Sequence, residues 1–199
     1  MKVTLFKSSP EIYSAQAYFV QGSWNAISDV NTMIDTGRDD NIVNDIYKLH
    51  TGVGKRRLEL VILTHEHFDH SASLKVLKKE FNPRVIAMAK NPFVDEFAYD
   101  GMKVKIGDSQ AEIIHTPGHS NDSICIYVPD GGVLFSGDTL LNIKTINGTY
   151  TRDYIEALEK LASLDIKIIY SGHDDPIDSK IKELFENSLN NVKKSKIFN

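Results

Sequence analysis

Residues 65–70 read His-Glu-His-Phe-Asp-His and concentrate groups that bind metal ions. Three imidazoles and an aspartate stand within six positions, although the whole chain has only seven histidines. A pattern of this kind arises by chance in roughly one chain of this size in a thousand. Neutral imidazole and carboxylate are ligands that zinc, iron and manganese take in proteins. The segment therefore predicts a metal site that uses His65, His67, Asp69 and His70.

Three further candidate ligands lie elsewhere in the chain. Six consecutive residues cannot surround one tetrahedral ion with all four side chains without strain, so we expect other segments to contribute. His119, Asp138 and His173 each follow a glycine, close behind an apolar run. Strand ends hold side chains rigidly, and a neighbouring glycine lets the backbone crowd a ligand. These three residues are therefore expected to join the cluster.

The elements around residues 65–70 predict a strand-to-helix loop. Residues 58–63 form a nearly continuous apolar run, which is typical of a buried strand. Residues 71–81 have the apolar spacing of a helix. Further strands are predicted at residues 17–20, 32–34 and 84–88. A helix between them is expected to begin near Asp39 or Asp40 and to end at Gly52.

The second half of the chain predicts another sheet with two helices. Residues 100–135 alternate short β-branched runs with turns, which indicates a meander. A helix is predicted over residues 153–163, with Asp153 and Glu156 in capping-box spacing. A strand over 167–170 and a helix over 178–193 follow. Interleaved strands and helices in both halves predict an α/β (α+β) fold of two packed sheets with helices outside.

Length and composition are ordinary for one globular domain, which we expect to span residues 1–199. The net charge of −4 does not suggest a nucleic-acid or anionic-membrane partner, so a small-molecule substrate is expected. No apolar window approaches the ~18 residues of a membrane span, and the first residues lack a signal-peptide pattern. The single cysteine, Cys125, fits a reducing compartment. We therefore expect a cytoplasmic protein.

The candidate residues, together with Asp35, resemble the five motifs of the metallo-β-lactamase superfamily in order and spacing. The resemblance implies a four-layer αβ/βα sandwich with two metal sites at one edge of the paired sheets. It also implies that Asp35 supports the metal loop without being a ligand. The implied ligand sets are His65, His67 and His119 for the first ion, Asp69, His70 and His173 for the second, and Asp138 bridging the two.

The implied cofactors are two divalent metal ions, most simply zinc, with iron or manganese as alternatives. Two such ions can share a hydroxide and lower its pKa toward neutrality, which makes that hydroxide the nucleophile. Asp69 is then both ligand and catalytic residue, because its carboxylate can orient the hydroxide and take its proton. Cys125 lies in the middle of an apolar run and is expected to be a buried small hydrophobe.

Within the superfamily the chain is most similar to the compact thioesterases of the glyoxalase II type, the hydroxyacylglutathione hydrolases. Residues 64–70, 115–120 and 136–140 carry that similarity. Residues 71–73 read Ser-Ala-Ser where that branch usually has a glycine pair. The C-terminal helical domain with basic glutathione-binding residues, which the longer enzymes have, is not expected in these 199 residues, so the carrier thiol stays open. Two alternatives remain. One is a lactonase of the acyl-homoserine-lactone type, and the other is a persulfide dioxygenase whose single iron is held by His65, His119 and Asp138.

The sequence leaves the roles of four other residues open. Trp24 lies in a predicted turn and is either a substrate wall or an ordinary surface residue. His115 either supports a metal ligand or packs at a strand end. Tyr150 and Arg152 stand between Asp138 and the next predicted helix, where a pocket wall is expected.

Overall fold

The computed structural model describes residues 1–7 and 11–198. Its first sheet has six strands in chain order. They are β1 (Lys2–Phe6), β2 (Ala17–Gln21), β3 (Thr32–Ile34), β4 (Leu60–Ile62), β5 (Arg84–Ala87) and β6 (Glu96–Phe97). The first three strands pair antiparallel, and β3 through β6 pair parallel.

The second sheet has the strand order β12-β10-β9-β8-β7. Its strands are β7 (Lys103–Ile106), β8 (Ser109–His115), β9 (Ile124–Val128), β10 (Val133–Gly137) and β12 (Ile168–Ser171). All neighbours are antiparallel except β10 and β12, which run parallel. A small third sheet pairs β11 (Thr149–Thr151) parallel with β13 (Lys196–Phe198).

Helices cover the outer face of each sheet. They are α1 (Ile42–Lys48), α2 (Phe68–Ser71), α3 (Leu74–Phe81), α4 (Arg152–Ala162) and α5 (Ile181–Lys193). Residues of α1 and α3 pack on the first sheet in one buried cluster, and residues of α4 and α5 pack on the second sheet in another. None of the helices in the described ranges is long and apolar enough to cross a lipid bilayer.

A third buried cluster lies between the two sheets and joins them. It combines Ile34 and Ile62 of the first sheet with Ile113, Ile126 and Phe135 of the second. Strands β4 and β9 are covered on both faces, so their sequences are continuously apolar, whereas β7 at the edge of the second sheet alternates exposed and buried residues. The predicted αβ/βα sandwich of four layers is therefore confirmed.

The predicted helix over residues 71–81 is wrong at its start. The structure has the short helix α2 at Phe68–Ser71, a break at Ala72 and Ser73, and then α3. Two other helix starts also differ, since Thr151 rather than Asp153 caps α4 and α5 begins at Ile181. The early helix places two candidate ligands, Asp69 and His70, on helical backbone.

Parallel strand pairs explain why the candidate ligands come together. Asp35 and His65 follow β3 and β4, which run parallel in the first sheet. Asp138 and His173 follow β10 and β12, which run parallel in the second sheet. The carboxyl ends of parallel neighbours lie at one edge of a sheet, and here the two edges face each other. The chemistry-bearing residues therefore share one end of the sandwich.

Candidate metal centre

His65, His67 and His119 form the first group of possible metal ligands. One ring nitrogen from each lies within 4.8 Å of the others. Nε2 of His119 is 2.9 Å from Nδ1 of His67. His65 is buried, whereas His67 and His119 are exposed toward the mouth of the site. The three imidazoles thus converge from the loop after β4 and the loop after β8.

Asp69, His70, Asp138 and His173 form the second group, whose ligand atoms also lie within 4.8 Å of one another. Nε2 of His173 is 3.2 Å from Oδ2 of Asp69. Nε2 of His70 is 3.1 Å from Oδ1 of Asp138. This group joins helix α2 of the first half to the loops after β10 and β12.

The carboxylate of Asp138 lies between the two groups. Its Oδ2 is 3.6 Å from Nε2 of His119 and 3.4 Å from Nε2 of His173. Its Oδ1 faces His70. The structure therefore brings together all seven residues that the sequence singled out, with Asp138 at the boundary.

Two orphaned nitrogens show that the donor set fits metal ions. Nε2 of His65 is buried and has no hydrogen-bond partner in the described part of the chain, and Nε2 of His70 is buried and makes no well-directed hydrogen bond, its nearest acceptor being Oδ1 of Asp138 at 3.1 Å. A buried polar atom left unpaired costs about 1–3 kcal/mol. A divalent cation at each group would satisfy these nitrogens, and imidazole with carboxylate is the appropriate ligand chemistry.

Asp35 stabilises the loop of residues 64–70 through hydrogen bonds to its backbone and side chains. Its carboxylate accepts hydrogen bonds from the backbone N–H of Thr64 at 2.7 Å and from the Thr64 hydroxyl at 2.8 Å. Its Oδ2 is also 2.8 Å from Nδ1 of His70, which leaves Nε2 of that ring facing the centre. Asp35 adopts a positive φ of 54°, an uncommon conformation in which Asp is several-fold enriched. Asp35 therefore orients a candidate ligand and is not one itself.

The charges of the cluster are strongly coupled. Burial lowers the pKa of His70, but the charges of Asp35 and Asp138 and the hydrogen bond to Asp35 outweigh it and raise that pKa to about 10. Burial raises the pKa of Asp138, but its pairing with His70 dominates and lowers the value to about 2. Burial and the nearby His70 charge lower the pKa of His65 to about 4. Without metal, the centre thus holds a protonated His70 beside an ionised Asp138.

Two glycines let the loops approach the cluster. A Cβ on Gly172 would lie 2.2 Å from Oδ1 of Asp138 and 2.7 Å from Cε1 of His70. Gly137 has a φ of +50°, and a Cβ there would lie 2.4 Å from Oγ1 of Thr64. The expectation that a glycine beside a ligand lets the backbone crowd another ligand is confirmed at Gly172, whereas Gly137 makes room for Thr64, which is not a ligand.

Cys125 lies beneath the loops after β8 and β10. It is fully buried, and its Sγ is 3.5 Å from Oγ1 of Thr139 and 3.6 Å from Oγ1 of Thr116. Those two hydroxyls are 2.9 Å apart and tie the loops together. Burial raises the pKa of the thiol to about 11, although both hydrogen bonds oppose the shift. The predicted role of Cys125 as a buried small residue is confirmed.

Sequence reasoning did not single out Asp122, which supports the loop that carries the first group. Its Oδ2 accepts a hydrogen bond from the backbone N–H of Glu66 at 2.8 Å. The side-chain amide of Asn91 donates to the Glu66 carboxylate at 2.9 Å. A half-buried aspartate in a turn gives no sequence signal of such a contact, because its partner is distant along the chain.

Two clefts border the cluster, and Leu140 lines both of them. One has a volume of about 370 Å³ and is lined by His119, Asp138, Leu140, Tyr150 and Tyr154. The other has a volume of about 470 Å³ and includes Lys144 and His173. The rings of Tyr150 and Tyr154 stack with centroids 5.6 Å apart, so the first cleft has an aromatic wall.

The structure locates the four residues whose roles the sequence leaves open. Tyr150 lines the first cleft, and Arg152 is the first residue of α4. Trp24 is 91% exposed in the turn that precedes β3, at the opposite end of that strand from Asp35. His115 ends β8, and its Nε2 is 2.9 Å from the carbonyl oxygen of Asn121. These positions favour a packed strand-end role for His115 and exclude Trp24 from the site.

A family model, that of the metallo-beta-lactamase superfamily, matches residues 13–102 and 88–173. The match covers most of the chain and includes every candidate ligand. The chain belongs to the metallo-β-lactamase superfamily.

Several curated relatives of the chain are hydroxyacylglutathione hydrolases. A hydroxyacylglutathione hydrolase of Rhodopseudomonas palustris is 37% identical over 122 residues, which cover 57% of this chain and 48% of that protein. A probable hydroxyacylglutathione hydrolase of Schizosaccharomyces pombe is 33% identical over 141 residues, 67% of this chain and 55% of that protein. The chain spans about half the length of the curated relatives it matches. The predicted resemblance to the glyoxalase II branch is confirmed.

A solved structure shares the fold. The BLEG-1 B3 metallo-beta-lactamase superposes with a TM-score of 0.70 at 19% identity, covering 95% of this chain and 97% of that one. At this identity the likeness shows a common architecture.

Proposed function

We propose that this chain is a metal-dependent hydrolase that cleaves a thioester with two divalent cations, most simply zinc. The observation that carries the proposal is the pair of ligand groups that meet at Asp138. The hydroxyacylglutathione hydrolases among its relatives supply the substrate class. The thiol carrier stays open in the proposal.

Each ligand has a proposed place. His65, His67 and His119 would hold the first cation, and Asp69, His70 and His173 would hold the second. Asp138 would serve both, because its Oδ2 lies 3.6 Å from His119 and 3.4 Å from His173. When bound, such cations supply Lewis acidity for a carbonyl oxygen and lower the pKa of water.

Asp69 is the proposed catalytic residue among the protein groups. Its side chain is only 6% exposed, and its Oδ2 faces Nε2 of His173 at 3.2 Å. A carboxylate held there can orient the attacking water and hold its proton at a carboxylate oxygen. The attacking water is the proposed nucleophile. Cys125 cannot take that role, because it is buried beneath the loops and the pKa of its thiol is raised to about 11.

The aromatic cleft is the proposed substrate site. It opens directly onto His119 and Asp138, and its wall is built from Leu140 and the stacked rings of Tyr150 and Tyr154. An acyl group bound against these apolar surfaces would present its carbonyl carbon to the cluster. The same wall suits the acyl chain of a lactone, so the lactonase remains a second candidate.

The four-residue second group supports two cations rather than one. A single iron held by His65, His119 and Asp138 would leave Asp69, His70 and His173 without a shared partner. These three converge with Asp138 within 4.8 Å. The dioxygenase alternative therefore accounts for fewer of the described contacts.

The test combines metal content with a substrate panel. Metal-free protein loaded with zinc should bind about two equivalents and hydrolyse thioesters without consuming oxygen. Asp138→Ala should lose one equivalent and most activity, whereas the exposed control Asp178→Ala should behave as the parent. Faster turnover of lactones than of thioesters would favour the lactonase. One iron per chain with oxygen uptake on a persulfide would overturn the hydrolase.

A further inference from the structure

Residues 13–18, of which the last two belong to β2, lie across helix α2 and the loop after β12, which carry Asp69, His70 and His173 of the second ligand group. The backbone N–H of Ala15 donates to the carbonyl oxygen of Asp69 at 3.0 Å. The next residue, Gln16, donates its backbone N–H to the carbonyl oxygen of Gly172 at 2.7 Å. Adjacent residues of one segment thus hold helix α2 and the loop after β12 together.

Side chains of the same segment extend this contact. The Tyr18 hydroxyl donates to the carbonyl oxygen of Ser171 at 2.6 Å, and the Gln16 side-chain amide donates to that of Asp174 at 3.2 Å. These acceptors stand on either side of His173. The backbone around this candidate ligand is therefore fixed by residues 16–18.

The imidazole of His173 is held differently from that of His70. Nδ1 of His70 is fixed by Asp35 at 2.8 Å, the usual device by which a metal-binding histidine is oriented. For His173, no hydrogen bond to Nδ1 exists among the described residues, and the side chain is 34% exposed. Among the described residues, no hydrogen bond therefore orients this ring.

The aromatic ring of Tyr13 packs against the His173 imidazole. It stacks on the His173 imidazole with ring centroids 5.6 Å apart and an interplanar angle of 20°. The same ring meets Phe68 of helix α2 with centroids 6.2 Å apart. Tyr13 therefore contacts a ligand on one loop and the immediate neighbour of the ligand Asp69 on the other.

We propose that Tyr13 is a positioning residue for the second cation. Its ring orients the His173 imidazole by stacking, as a hydrogen bond to Nδ1 would do. The proposal rests on the two-cation centre proposed above. It makes the affinity of the second cation depend on a ring outside the ligand set. The first group has no contact with Tyr13 among the described residues, so its affinity should not depend on that ring.

The expected effect is specific to the second binding step. Removing a group that orients a metal ligand typically weakens metal binding by 10–100-fold. For Tyr13→Ala we expect about a tenfold weaker second step and an unchanged first step. Tyr13→Phe keeps the stacking ring and should bind as the parent does.

The experiment is a stepwise zinc titration of metal-free protein against a chromophoric chelator. It compares the parent with Tyr13→Ala, Tyr13→Phe and the control Tyr99→Ala. Tyr99 is a matched control because it is 62% exposed, against 66% for Tyr13, and is not among the residues that contact the cluster. Thermal melting of each metal-free variant measures any loss of fold stability.

Each outcome has one meaning. A selective loss of the second step in Tyr13→Ala, restored in Tyr13→Phe, supports the proposal. An unchanged second step, or an equal weakening of both steps, overturns it, since a general loss of stability acts on both. If the parent itself binds fewer than two equivalents, the two-cation centre of the proposed function fails instead.

Discussion

At the scale of single residues, Gly172 is the tightest point of the candidate metal centre. We expect Gly172→Ala to weaken zinc binding at least tenfold, because its Cβ would fall 2.2 Å from Oδ1 of Asp138 and displace that carboxylate. Overpacking should also lower the free energy of unfolding by about 1–3 kcal/mol. Zinc titration and urea unfolding measure the two effects.

A glycine elsewhere provides the comparison for this variant. Gly54 has a positive φ of +71°, and no heavy atom would lie within 4 Å of its Cβ. Gly54→Ala should therefore strain the backbone without touching metal affinity. Equal zinc affinities in the two variants would show that Gly172 does not shape the centre.

A second residue-scale prediction concerns the buried thiol. Iodoacetamide should leave Cys125 of the folded, zinc-loaded protein unmodified and its turnover unchanged, since the thiol is fully buried and its pKa is raised to about 11. Mass spectrometry of folded and urea-unfolded samples measures the modification. Rapid alkylation of the folded protein with loss of activity, while metal and fold persist, would instead indicate covalent catalysis.

The sequence predicts the ligands better than their supports. Imidazoles and carboxylates such as His119 and Asp138 are recognisable from residue type and from the apolar runs before them. Tyr13 and Asp122 have no such signal, because each acts on a partner far away in the chain. Only the packing of the two halves brings those pairs into contact.

At the scale of elements, the N-cap of α4 stabilises the first turn of the helix, which carries the cleft residue Tyr154. The Thr151 side chain accepts a hydrogen bond from the backbone N–H of Tyr154 at 3.3 Å. We expect Thr151→Ala to lower the free energy of unfolding by about 1 kcal/mol, since a helix N–H loses its partner. Thr151→Ser keeps the acceptor and should lie near the parent in urea unfolding. A comparable loss in the Ser variant would contradict a capping role.

Element types were more predictable than element ends. The buried strands around β4 and β9 have strong apolar runs, so their existence follows from the sequence. The helix break at Ala72 and Ser73 does not, because tertiary contacts decide it: the Ser73 N–H donates to the Gly37 carbonyl. Strand β13 was missed because it has only three residues and all of them are exposed. Strand β1 was missed although polar and apolar residues alternate over Lys2–Leu5.

At the scale of the whole molecule, metal loading should release protons. His70 has a pKa of about 10 in the metal-free protein, so its proton must leave before Nε2 can bind a cation. His65, with a pKa of about 4, is already neutral at pH 7. We expect about one proton from His70 per chain at pH 7.5, and apparent affinity that rises with pH. Calorimetry in two buffers of different ionisation enthalpy measures the release, and identical heats would refute it.

The same pKa values set the pH window of the metal-free fold. His70 has a raised pKa, so its stabilising contribution is fully present below its ordinary value of 6.5 and is lost as pH rises through about 10. Asp138 has a lowered pKa, so its contribution is present above 3.8 and is lost as pH falls through about 2. The free energy of unfolding should therefore decline toward both extremes in urea titrations of metal-free protein.

The small sheet of β11 and β13 carries part of one wall of the aromatic cleft. A two-stranded sheet is marginally stable alone, and all three β13 residues are exposed. Tyr150, which lines the cleft, belongs to β11. Its amide should therefore exchange with deuterium through local opening, long before the amides of β9 and β10 do. We therefore expect this wall of the cleft to open locally while the sandwich stays folded. A ligand bound in the cleft should then slow the exchange of the β11 amides relative to the free protein.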